Sequence, residues 1–120
     1  MKKTLIIGAS PNPERYSYKA AHSLVRHGHP IIQIGKTDGK VADKPILKGK
    51  PNLEKDIDTV TLYVSPQNQG EWYDYVLALK PKRVIFNPGT ENLEFEVLLE
   101  HNGIEPLEAC TLVLLAIGAY

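Results

Sequence analysis

The sequence predicts an α/β domain built on an open, mostly parallel, doubly wound sheet of five strands with helices on both faces. Three observations predict it. Short strand-like runs recur at 4–9, 31–34, 58–64, 83–86 and 104–109, the first nearly continuous and apolar, as in a strand covered on both faces. Most of the stretches between them carry apolar residues at helical spacing. The alternation of the two implies right-handed crossovers.

The run TLIIGA at 4–9 is the first strand. Over 17–27, Ala21, Leu24 and Val25 recur at helical spacing, Tyr18 extends the stripe one turn earlier, and Gly28 stops the helix. Residues 31–34 form the second strand, closed by Gly35. The stretch 36–56 is rich in lysine, glycine and proline, with a short extended piece at Pro45, Ile46 and Leu47. Val60, Leu62 and Val64 alternate along the third strand. Trp72, Val76 and Leu79 share one face of a helix expected over 69–80. Residues 83–86 make the fourth strand, stopped by Asn87, Pro88 and Gly89. Phe95, Leu98 and Leu99 predict a helix over 91–102, which Gly103 ends before the last strand. The apolar tail 111–117 reads as a final helical turn or two.

A chain of 120 residues buries one core and not two. No repeat or linker divides it, so residues 1–120 are read as a single domain. Lys plus Arg (14) balance Asp plus Glu (14), so no global field draws nucleic acid or an anionic membrane. The single cysteine excludes an internal disulfide framework and a thiolate metal cluster. The apolar run after Lys2 and Lys3 ends at Gly8, too early for a secretory signal. No segment approaches the ~20 apolar residues of a membrane span. A cytoplasmic protein is expected.

In sheets of this kind ligands bind beyond the carboxyl ends of the strands. Those ends carry Gly8, Ala9 and Ser10, then Gly35 and Lys36, then Ser65 and Pro66, then Asn87, Pro88 and Gly89. Such small and turn-forming residues let backbone approach a ligand closely. A helix beginning near Ser17 offers free N–H groups and a positive end to an anion. Ser10 and Ser17 add hydroxyls and Arg15 a planar fork, while Ser17 also suits an N-cap. Gly8 is expected to let the turn approach a pyrophosphate. The turn nevertheless lacks the three glycines of a dinucleotide fingerprint, and no acidic residue directly follows the second strand. Lys36 and Lys40 stand there instead, which favours an extra ribose phosphate. NADP and coenzyme A both satisfy that requirement; NAD fits worst.

The stretches IIGASPNPERYSYKAAHSLVRHGHPIIQIG, PILKGKPNLEKDIDTVTLYVSP, NPGTE and GIEPLEACT resemble the small CoA-binding-domain proteins of bacteria. These are stand-alone relatives of the CoA-binding domain in the succinyl-CoA synthetase α subunit. The similarity covers nearly the whole chain, and its most specific part is the Gly-Ala-Ser turn with Pro-x-Arg-x-Ser. The resemblance implies a Rossmann-like fold with CoA, or an acyl-CoA, holding its pyrophosphate at the first helix. It assigns Gly8, Ala9, Ser10, Arg15 and Ser17 to the first phosphate-binding loop, Val64, Ser65 and Pro66 to the loop after the third strand, and Asn87, Pro88 and Gly89 to the loop after the fourth. The family's Asn-Pro-Lys run after the second strand is replaced here by GKTDGK, which leaves open whether Lys36 or Lys40 meets a phosphate. The synthetase's phosphohistidine and nucleotide-grasp subunit are absent, so ligase chemistry does not transfer.

No catalytic or metal-ligating residue is expected. His27 and His29 flank a helix stop and His101 closes a later helix, where the dipole favours them without any chemistry. No pair of histidines has metal-ligand spacing. Cys110 has no base or cation beside it in sequence to activate a thiol. The reading is therefore a CoA-binding protein without catalysis of its own. Its alternatives are an NADP- or acyl-CoA-dependent enzyme component that needs a protein partner, and a scaffold whose ligand site has decayed.

Overall fold

Leu5, Ile6 and Ile7 are consecutive and all fully buried, which requires a strand covered on both faces. The computed structural model describes residues 1–120 and builds that cover from eleven elements. In order they are β1 (Thr4–Ala9), α1 (Tyr16–Arg26), β2 (Ile31–Gly35), β3 (Lys40–Val41), β4 (Lys44–Leu47), β5 (Thr59–Leu62), α2 (Tyr73–Leu79), β6 (Arg83–Phe86), α3 (Leu93–His101), β7 (Glu105–Glu108) and α4 (Thr111–Ala116). The strands align as β3-β4-β2-β1-β5-β6-β7. Every pairing is parallel except the β3–β4 hairpin. This is the expected α/β, doubly wound, mostly parallel class.

The sheet has seven strands rather than five. The extra two lie in the lysine-rich stretch, where β3 is only two residues long and turns through Ala42 and Asp43, both at positive φ. A turn of that geometry ordinarily uses Asn-Gly or Asp-Gly, and Ala-Asp carries no such hairpin signal. Gln33, buried in β2, holds the hairpin by donating to the carbonyls of Val41 (3.0 Å) and Lys44 (3.1 Å).

Alternation along the strands sorts the core into two layers. Leu5, Ile7, Val60, Leu62, Val84 and Phe86 pack with Val76, Phe95 and Leu99 of α2 and α3. Ile6 and Ile31 pack with Ala21 and Leu24 of α1 and Leu115 of α4 on the other face. The crossing from β4 to β5 has no helix. Ile57 is buried in the α2–α3 layer, Leu53 packs against it, and the Tyr75 hydroxyl donates to the Pro51 carbonyl at 2.6 Å.

Helix α2 is shorter than its periodicity suggested. Two 3₁₀ turns, Pro66–Asn68 and Gly70–Trp72, occupy its expected start. They are divided by Gln69, whose side chain is fully buried and bonded to neighbouring loops. Because β1 lies between β2 and β5, the chain leaves β1 in one direction and returns on the other side. The loops after β1 and β5 diverge there and leave a crevice.

Candidate functional site

A cleft of about 1290 Å³ opens at this crevice. Its floor is the β1–α1 turn, where Gly8 takes φ +97° and a β-carbon would stand 2.7 Å from the Tyr63 carbonyl oxygen. The glycine is thus demanded by the approach of β5 to β1, a reason the sequence did not disclose. Gly35 is required in the same way, since a β-carbon there would overlap the Ala9 carbonyl oxygen.

The rest of the turn is held by its own side chains. Ser10 Oγ accepts from the Asn12 N–H (3.1 Å), and Asn12 Oδ1 accepts from the Glu14 N–H (3.0 Å). The N-cap of α1 is Arg15, not Ser17, and no side chain caps the helix. Ser17 is the second residue of that helix, almost fully buried, yet lines the cleft. An N-terminus left without a cap keeps free donors facing the cleft.

The β2 side of the rim is cationic. Lys36 lines the cleft, together with Lys48 and Lys50 from the loop after β4. Lys48 pairs with Asp38 at 2.9 Å. Lys50 lies 3.5 Å from Glu71 and over the Trp72 ring, 5.2 Å from its centroid. Arg15 and Lys36 pair with no carboxylate. Lys40 does not line the cleft. The unexpected hairpin carries it to a smaller hollow of about 340 Å³ beside Tyr18, His22 and Arg26.

On the other side, Val64, Ser65, Pro88 and Gly89 line the cleft, whereas Pro66 and Asn87 do not. Pro66 starts a 3₁₀ turn. Asn87 is buried behind the rim. Its Nδ2 donates to Thr61 Oγ1 (2.6 Å) and to the Leu62 carbonyl (2.8 Å), and its Oδ1 accepts from the Thr111 N–H (2.9 Å). Gln69 ties the two loops together by donating to the carbonyls of Val64 (2.9 Å) and Thr90 (2.7 Å). Both amides stiffen the rim before any ligand arrives. Sequence reasoning missed Lys48 and Lys50 as cleft residues, because nothing in their spacing announced that the chain entering the helix-free crossing passes the site. It missed Asn68 and Trp72 because they stand on 3₁₀ turns after β5 where the periodicity suggested helix.

The cleft lining contains no histidine and no cysteine. Burial pushes the Tyr63 phenol up to about 12, so it stays protonated and is no base at neutral pH. Cys110 is the N-cap of α4 and lies outside the cleft lining. His29 accepts from the Lys2 N–H at 3.0 Å, and desolvation lowers its pKa; neither it nor any other histidine lines the cleft.

An uncapped helix end and two unpaired cations on one cleft suit a polyanion. The CoA binding domain family matches this chain over residues 2–116. The chain belongs to that family. A crystal structure of an uncharacterized protein is similar at 56% identity and TM-score 0.97, covering 100% of this chain and 98% of that one. The CoA-binding domain also has the fold of the structure of cell-free ID.343 from Thermus thermophilus (20% identity, TM-score 0.88, 99% and 90% covered). A hypothetical protein from Pyrococcus horikoshii OT3 shares it too (24% identity, TM-score 0.84, 93% and 80% covered). No curated protein matches. No helix of this CoA-binding domain is long and apolar enough to cross a membrane.

Proposed function

We propose that the protein binds coenzyme A or an acyl-CoA in the cytoplasm and performs no catalytic step of its own. The observation that carries the reading is the junction of the uncapped α1 N-terminus with Arg15 and Lys36, the two cleft cations without carboxylate partners. The pyrophosphate of the ligand sits at the first turn, beside Gly8, Ala9, Ser10 and Ser17, and the ribose phosphate meets Lys36. Family membership favours CoA over NADP, which would also satisfy a lysine at that position.

The test is ligand-dependent melting. A ligand that binds only the folded state adds RT ln(1 + [L]/Kd), about 2.7 kcal/mol at a hundredfold excess over Kd. CoA raises the melting temperature, NAD has little effect, and equal stabilisation by both would overturn the reading. NADP stabilising more than CoA would favour an enzyme component completed by a partner.

A further inference from the structure

Lys50 and Glu71 meet although they leave strands that are not neighbours. Lys50 follows β4 and Glu71 follows β5, and β2 and β1 lie between those strands in the sheet. Lys50 Nζ stands 3.5 Å from Glu71 Oε1 and 5.2 Å from the centroid of the Trp72 ring. The main chain beside Lys50 is held, because the Tyr75 hydroxyl donates to the Pro51 carbonyl at 2.6 Å. The Trp72 ring is held too, edge-on to Tyr75 with centroids 5.7 Å apart. Only the flexible lysine stem is left free to move.

Lys50, Glu71 and Trp72 all line the cleft. The lining carries four basic side chains, Arg15, Lys36, Lys48 and Lys50, and two carboxylates, Glu14 and Glu71. Glu14 has no Lys or Arg partner, and Lys48 pairs with Asp38, which is not in the lining. Lys50 is thus the one cleft cation held by a carboxylate of the cleft itself. Their side chains are 40% and 61% exposed, and an ion pair so open to water is weak. A ligand with several phosphates acts on both partners at once. It attracts Lys50 more strongly than one carboxylate does, and it repels Glu71. We infer that Lys50 changes partner on binding: it pairs with Glu71 in the empty cleft and with the ligand's phosphates in the filled one. This rests on the CoA reading above. Glu71 is then an internal competitor of the ligand, and the exchange alters the charge over the chain's single tryptophan.

Titration with CoA tests it, followed by calorimetry and by Trp72 fluorescence in low-salt buffer, where exposed charges are least screened. The proteins are wild type, Glu71→Gln, Lys50→Met and the double variant. Methionine keeps an apolar stem beside the indole and removes the charge. Glu71→Gln is expected to tighten CoA binding about threefold, the scale of an exposed ion pair, and Lys50→Met to weaken it by a similar factor. In the Lys50→Met background, Glu71→Gln should have little further effect, because nothing remains to compete for. CoA should change Trp72 emission in wild type and much less in Lys50→Met. A Glu71→Gln gain as large without Lys50 as with it would be plain repulsion and overturns the inference. An emission change absent from wild type, or undiminished in Lys50→Met, overturns it equally. In each of these cases CoA still binds and the CoA reading stands. Failure of all four proteins to bind CoA overturns both.

Discussion

The backbone of Tyr63 stands where a β-carbon of Gly8 would have to go: 2.7 Å separates the built atom from the Tyr63 carbonyl oxygen and 2.8 Å from its carbonyl carbon. Gly8 also holds φ +97°, and the β1–β2 register shifts across it, between Ile7 and Ala9. The first turn of the cleft and the packing of β1 against β5 therefore depend on the same missing atom.

Gly8→Ala is accordingly expected to destabilise the fold before it affects any ligand. The left-handed backbone costs a non-glycine residue about 1–3 kcal/mol, and the clash is with main chain that cannot rotate away. Urea denaturation should show a loss of about 2 kcal/mol or more. A variant as stable as wild type would mean that the turn relaxes freely.

Asn87 is expected to matter through the shape of the rim. Its side chain satisfies Thr61, the Leu62 carbonyl and the Thr111 N–H together. Asn87→Ala strands these groups in a buried setting, at about 1–3 kcal/mol for an unsatisfied partner. Thermal melting reads the loss, and crystallography of the variant should show the 87–90 loop displaced. An unchanged melting temperature would remove Asn87 from the support of the site.

Glu96 on α3 gives a pH dependence. Desolvation, together with a hydrogen bond to the Glu108 carboxyl, raises its pKa above the ordinary carboxylate value. An acid whose folded pKa is raised holds more protons folded than unfolded between the two values, so stability falls as pH rises through that window. Glu108→Gln removes the neighbouring charge. It is expected to raise the melting temperature at pH 7, with a gain that shrinks at pH 4 as Glu96 takes up its proton. An equal gain at both pH values would assign the effect to something other than this pair.

The strands and helices were legible because burial on both faces leaves runs such as Leu5, Ile6 and Ile7, and because Phe95 and Leu99 keep helical spacing. The β3–β4 hairpin was not, since Ala42 and Asp43 take positive φ without the usual residues and Gln33, from another strand, holds the turn. The first loop and the rims after β2, β5 and β6 could be read from their glycines, prolines and lysines. Lys48 and Lys50 could not, because their place in the cleft comes from an extended crossing with no periodicity of its own. Nor could Trp72, which ends a 3₁₀ turn where the periodicity suggested helix. Asn87 and Gln69 illustrate a further limit: a buried amide bracing a loop and an exposed one touching a ligand look alike in sequence.

Lys36 and Lys40 were indistinguishable in sequence, four residues apart after one strand, and the fold separates them. Lys36 is exposed on the cleft rim with no carboxylate partner, while Lys40 lies on β3 beside α1. If Lys36 meets the ribose phosphate, Lys36→Ala should weaken CoA binding by about 1.5 kcal/mol, the lower end for a hydrogen bond to a charged group because the site is open to water. Dephospho-CoA should bind wild type more weakly than CoA, and Lys36→Ala should bind the two nearly alike. Lys40→Ala should leave both affinities and their ratio unchanged, which controls for a general loss of positive charge. The weakening in Lys36→Ala should also fade as salt is raised, since an exposed contact is screened. Calorimetric titration of the three proteins with the two ligands decides it. A Lys40→Ala protein that loses discrimination while Lys36→Ala retains it would place the ribose phosphate over the hairpin and reverse the orientation of the ligand in the cleft.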